Sequence, residues 1–312
     1  MTLLAVAVSI WIWLIGKVVP GGFIPDEDKG YLFVAVELPE AVRYSTHYLG
    51  IYVLIEKIKR GGDRVDIERL YASQKTEPGI TGGYILKNDR KDPGDAGFVT
   101  TGGGYSVSLC YVYPHENQNV SRPPQEVGTV EQKAWIKSYL DRFQTALHGT
   151  NFKDPALGYA AYIDPLSFID HHIIVELTKN IDGYRLSTFM YKDRGSKLCM
   201  GPIWDYNLSL GNADYLQGWL AEGWYYTQVG DGDYPWYRRI FQDPDFVQRY
   251  IDRWTAFRRA AFATDTLLAK IEGVLRDADA DARDLAGRFG ADRPAAAYAW
   301  LNAHRRRAIL TT

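Results

Sequence analysis

Apolar positions recur every third or fourth residue across Thr129–Leu147, where Ile136, Tyr139, Leu140, Phe143 and Leu147 form one stripe. That spacing predicts a helix with one buried face, and Thr129 with Gln132 three residues on supplies a capping box at its start. Asp164 followed by Pro165 predicts the cap and first position of a second helix, which continues through the apolar run Leu166–Lys179. Beyond Tyr237 the pattern is helical again, over Pro244–Phe262, Asp265–Asp281 and Ala295–Ile309. β-Branched and aromatic runs predict strands at Leu32–Glu40, Tyr48–Ile58, Gly83–Lys87 and Tyr105–Tyr113. Arg185–Tyr191 and Lys197–Pro202 flank a Lys192–Ser196 turn as a hairpin. Asp66–Gln74 reads as a short helix and Asn88–Gly104 as a loop. The run Gly102-Gly103-Gly104 in that loop reads as a hairpin tip before it reads as a phosphate cradle, because no Gly-Lys-Ser/Thr ending comes after it. Strands, a helix, a second helix, a hairpin and then several helices make an α+β chain.

Composition narrows the choice of function. With 46% hydrophobic and 24% charged residues over 312 positions, the chain is globular and can bury a substantial core. A net charge of −2 gives no footprint for nucleic acid. The cluster Arg305-Arg306-Arg307 reads as cations closing the last helix. Cys110 and Cys199 are two thiols in apolar strands, neither a disulfide framework nor a zinc site. Adjacent helical residues point about 100° apart, so His171 and His172 are no metal pair. Thr2–Gly16 is almost wholly apolar but shorter than the roughly 20 residues of a membrane span. Membrane association is expected only if that segment is an anchor.

The candidate chemistry lies between residues 163 and 211. Asp182 directly follows the second helix, and Asp205 follows the hairpin, within Trp204-Asp205-Tyr206-Asn207. One carboxylate to orient a hydroxyl and another to hold a phosphate-bridging metal is what phosphotransfer needs. Asp182 reads equally as the end of a helix-terminating turn in Asn180-Ile181-Asp182-Gly183, with Gly183 leaving room for substrate. If the chain stays extended, Asp205 and Asn207 share one face as oxygen ligands for Mg²⁺ or Mn²⁺, with Asn180 an alternative second ligand. Lys87, ending the strand Tyr84-Ile85-Leu86-Lys87, is a candidate phosphate contact or a solvated strand end. Glu56 is the candidate partner for Lys87, because Glu131 lies away from the apolar stripe of its helix.

The runs Tyr48-Leu49-Gly50-Ile51-Tyr52-Val53-Leu54-Ile55-Glu56, Gly82-Gly83-Tyr84-Ile85-Leu86-Lys87 and Trp204-Asp205-Tyr206-Asn207 resemble the CotH (spore-coat protein H) family of atypical protein kinases, over roughly residues 46–310. The resemblance implies a two-lobed kinase-like fold with a helical C-lobe, ATP with Mg²⁺ or Mn²⁺, and transfer of the γ-phosphate to Ser or Thr of a spore-coat-type protein. It gives Asp182 the catalytic role, Asp205 and Asn207 the metal, and Lys87 with Glu56 the nucleotide. A spore-coat or cell-envelope location goes with it. One departure stands out: ordinary kinases carry a metal-binding Asn five residues after the catalytic Asp, and here that position is Ser187. A non-catalytic pseudokinase, adhesin or structural coat protein is the second reading, and a metal-dependent hydrolase on Asp182 and Asp205 the third. Pro20–Tyr31 is similar to a periplasmic loop of resistance-nodulation-division efflux transporters. The expected division is therefore a foreign segment 1–43, a partial N-lobe 44–150 and a C-lobe 151–312. A curtailed N-lobe implies weak ATP binding and low activity.

Overall fold

The computed structural model describes residues 31–33, 53–55, 58–91, 95–114, 128–232 and 234–289, which fall in two compact units, Met1–Lys59 and Arg60–Thr312. In the first unit β1 (Tyr31–Phe33) pairs antiparallel with β2 (Val53–Ile55), Leu32 opposite Leu54. Both fall inside or at the edge of stretches expected as strands. Glu56 and Ala295–Ile309 lie outside the described residues.

The second unit is built on one antiparallel sheet in the order β4-β5-β3-β6-β7. Its strands are β3 (Tyr84–Asn88), β4 (Gly97–Gly102), β5 (Tyr105–Tyr113), β6 (Thr188–Lys192) and β7 (Leu198–Ile203). At the centre, Tyr84, Ile85 and Leu86 of β3 are fully buried, which is why this strand reads as a continuous apolar run rather than an alternation. The 88–104 loop expectation is corrected, since its second half is β4. A two-residue tip, Gly103 (φ 60°) and Gly104 (φ 86°), pairs β4 with β5. Both tip positions need positive φ, so glycine serves the turn here rather than a phosphate. Only Thr100 of β4 is buried, and its hydroxyl donates to Asp141 at 2.9 Å. So little burial leaves almost no periodic signal to read.

Helix α1 (Val130–His148) carries the expected capping box, with Gln132 N–H donating to the Thr129 hydroxyl and the Gln132 side chain accepting from the Thr129 amide. It lays Ile136, Leu140, Phe143 and Leu147 into the core. Helix α2 (Pro165–Thr178) starts at the Asp164 cap and stops at Lys179, which adopts the left-handed conformation (φ 49°). Beyond them lie α3 (Trp236–Ile240), α4 (Pro244–Arg259) and α5 (Thr264–Phe289). Trp236 of α3 is fully buried against Phe143 of α1, ring centroids 5.0 Å apart. A side chain of this kind contributes about 1.5–3 kcal/mol on burial. Arg253 of α4 grips Asp170 of α2 through two bonds of 2.7 Å.

The short helix expected at Asp66–Gln74 does not form. The Glu68 amide donates to the Asp193 carboxylate (2.8 Å), the Leu70 amide to the Tyr113 hydroxyl (3.2 Å), and the Arg69 carbonyl accepts from Arg194 (3.0 Å). Partners more than forty residues away in sequence satisfy the backbone that a helix would have satisfied locally. Among the described residues no helix is long and apolar enough to cross a membrane.

Candidate functional site

Sheet register gathers the chemistry. Asn88 of β3 stands opposite Thr188 of β6, and Thr188 stands opposite Ile203 of β7. The segments leaving β3, entering β6 and leaving β7 therefore meet at one end of the sheet. They bring Asp89, Asp182 and Asp205.

Asp182 is placed by the stop of α2. Once Lys179 turns left-handed, Asn180 is fully buried and its side-chain oxygen accepts the Asp182 amide at 3.2 Å. The amides of Arg185 and Leu186 then donate to the Asp182 carbonyl at 3.1 and 2.8 Å. This is turn chemistry and a fixed carboxylate together, so the two sequence readings of Asp182 do not exclude each other. Its side chain is 13% exposed and paired with Arg185 at 2.8 Å. One expectation is corrected here. Gly183 does not make room for substrate: a Cβ there would stand 2.8 Å from both methyls of Val175, so the glycine admits the α2 helix. Asn180 gives an oxygen to the Asp182 amide and braces the turn.

Asp205 adopts the left-handed conformation (φ 58°, ψ 59°) directly beyond β7 and opens a short 3-10 turn, Tyr206–Leu208. The extended-strand argument for Asp205 and Asn207 sharing a face is corrected, because the chain leaves strand geometry after Ile203. Asn207 is exposed, and its carbonyl accepts from Asn212 at 2.7 Å. Asp205 is exposed at the surface, yet partial desolvation of its carboxyl raises it above its ordinary range, and the negative charges of Asp89 and Asp182 raise it further. A cation beside Asp205 would relieve that repulsion.

Lys87 lies opposite Phe189 of β6 and Cys110 of β5, and pairs with Asp95 at 2.7 Å with its side chain 11% exposed. It is therefore a held, inward lysine and not a solvated strand end. Glu131 pairs with Lys75 at 3.0 Å on an exposed face, in keeping with its helical position. His171 and His172 bond to Tyr237 and Tyr250 hydroxyls, both at 3.1 Å, inside the aromatic core. Cys110 is buried and Cys199 half-buried, both free thiols.

The donor set is all carboxylate oxygen, which suits Mg²⁺ or Mn²⁺ and not a soft metal. Among the described residues no group of three or more His, Cys, Asp or Glu side chains could by itself hold a metal ion. A cation beside Asp205 thus fits only with phosphate and water oxygens completing its shell, as Mg²⁺ commonly binds. Asp89, Asp95 and Arg185 escaped the sequence reading. Asp89 lies two residues past Lys87, but only the β3–β6–β7 register brings it to Asp205.

The fold is thus α+β, helices around one antiparallel sheet with acids gathered at one set of its strand ends. The CotH kinase protein family model matches residues 30–277, and the chain belongs to that family. No curated protein and no solved structure matches it. The family match begins at residue 30, inside the 1–43 segment read as foreign, and nothing supports the transporter resemblance of that segment.

Proposed function

We propose that this chain is an ATP- and divalent-metal-dependent protein kinase that transfers the γ-phosphoryl group to a Ser or Thr hydroxyl of a protein. The observation that carries the reading is the β3–β6–β7 register, which gathers Asp89, Asp182 and Asp205 at one end of the sheet. Asp182, held by its own turn, orients the acceptor hydroxyl and takes its proton. Asp205 holds the metal, with phosphate and water oxygens completing the shell; when bound, Mg²⁺ or Mn²⁺ would neutralise the nucleotide phosphates and align them. Lys87 contacts the phosphates, with Asp95 fixing its direction. A spore-coat-type protein is the acceptor class to try first.

A second reading, a non-catalytic binding protein on the same fold, draws on Ser187 and on the exposed Trp219 and Trp224. One experiment separates the two: calorimetric titration with Mg·ATP and Mn·ATP, alongside phosphate transfer to a Ser/Thr-rich basic protein. Asp182→Asn should abolish transfer and leave nucleotide affinity nearly unchanged, and Asp205→Ala should remove the metal-dependent part of nucleotide binding. Nucleotide binding without transfer by the parent chain would select the binding protein, and metal-independent binding would refute the role of Asp205.

A further inference from the structure

Five residues after Asp182 the chain has Ser187, buried and in the left-handed conformation (φ 51°), where kinases carry a ligand for a second metal. The group beside Asp182 is instead Arg185. Its amide donates to the Asp182 carbonyl at 3.1 Å and its Nη2 to Asp182 Oδ1 at 2.8 Å. The guanidinium is fixed from a second direction as well. The phenol of Tyr225 interacts with it, and that phenol is itself bonded to the Ile181 carbonyl in the same turn. The Nε of Arg185 is buried with no hydrogen-bond partner. A buried N–H of a guanidinium left unpaired is costly, and the planar fork it belongs to matches phosphate oxygens.

We propose that Arg185 is a catalytic residue that binds the transferring γ-phosphate and supplies the positive charge a second metal ion supplies elsewhere. This rests on the kinase reading above. In the transfer the acceptor oxygen forms a bond to the γ-phosphorus while the bond from that phosphorus to the β–γ bridging oxygen breaks. ADP leaves with the electron pair of the broken bond, and the hydroxyl proton passes to Asp182. Arg185 keeps one edge on Asp182 and offers its remaining N–H groups to the γ-phosphate oxygens. Base and electrophile are thereby aligned by one side chain. Charge accumulating on those oxygens is met by a donor already in place.

Comparing Mg·ATP with Mg·ADP tests this without relying on turnover. The full chain and its Arg185→Ala and Arg185→Lys variants are titrated calorimetrically with each nucleotide. A lost charge-assisted bond to the γ-phosphate should weaken Mg·ATP about tenfold or more in Arg185→Ala. Mg·ADP, which lacks that phosphate, should bind all three proteins alike, and Arg185→Lys should recover part of the ATP preference. A purely structural role would weaken both nucleotides together, and that result overturns the proposal while leaving the kinase reading intact. Failure of the parent chain to bind either nucleotide overturns the kinase reading and the role of Arg185 with it. If Arg185→Ala does not fold, Arg185→Lys and Arg185→Gln carry the same comparison, and an unchanged ATP-to-ADP ratio in both overturns the assignment.

Discussion

Glu176 offers the sharpest check on how the chain beyond the 3-10 turn is held near Asp182. This half-buried carboxylate on α2 accepts the Tyr225 and Tyr226 amides, each at 2.7 Å, and the Tyr184 hydroxyl at 2.9 Å. Lys179, one turn on, donates to the Glu222 and Gly223 carbonyls at 2.6 and 3.2 Å. Together they clamp residues 222–226 onto α2. Replacing Glu176 by Ala leaves three donors without their acceptor, and the loss should reach about 3 kcal/mol or more, at about 1–3 kcal/mol for each buried donor left unsatisfied. Glu176→Gln keeps one oxygen for Tyr226 and Tyr184 but turns an NH₂ toward the Tyr225 amide, so it should cost about 1–3 kcal/mol.

The pH dependence adds a sign that intuition gets wrong. Burial raises the Glu176 carboxyl above its ordinary value despite the bonds it accepts. The folded chain therefore holds its proton to higher pH than the unfolded chain does. Stability from this group is fully present below its unfolded pKa and falls as pH rises through the folded one. The glutamine variant has no such dependence. The gap between parent and Glu176→Gln should be larger at pH 4 than at pH 7. Urea unfolding followed by tryptophan fluorescence at the two pH values measures it, and a gap that widens toward neutral pH would refute the account of Glu176.

Three further outcomes are expected from neighbouring contacts. Gly183→Ala should cost about 1–3 kcal/mol by overpacking against Val175, and by shifting the turn it should slow transfer more than Gly149→Ala does; equal effects would show that the Asp182 turn is tolerant. Thr129→Ala should cost about 1 kcal/mol through the lost cap of α1, read by chemical denaturation, with Thr129→Ser nearly harmless. Burial lowers the Lys192 ammonium from 10.5 to about 8, so the unfolded chain binds the extra proton between those values and stability should rise with pH across that window. Lys192→Met should lack that rise, and an identical slope in parent and variant would sink the assignment.

Legibility in the sequence was local. The Thr129 capping box, the Asp164-Pro165 start of α2 and the β6–β7 hairpin depend on neighbours within a few residues, and each is where it was expected. Asp182 and Asp205 each end one of two adjacent elements, and the structure brings Asp205 into the field of Asp182. The misses depended on distant partners. β4 exists because β5 pairs with it, and its single buried residue gave no period to detect. Asp66–Gln74 is not helical because Asp193, Arg194 and Tyr113 hold its backbone. Arg185 became visible only when its guanidinium was seen against Asp182. The expected face-sharing of Asp205 and Asn207 failed on one backbone angle, the positive φ of Asp205.

The direct pairing of β3 with β6 bears on how such a molecule could be switched. Lys87 and the strand leading out of the Asp182 turn share one uninterrupted ladder, Tyr84–Asn88 against Thr188–Lys192. Swinging the lysine away from the acids would mean unzipping that ladder, at a net cost of about 1 kcal/mol for every hydrogen bond broken and with buried strand exposed to water. The backbone under Lys87 and the strand that leads out of the Asp182 turn are therefore tied to move as one piece, and any change in reach between lysine and acids falls to the side chains.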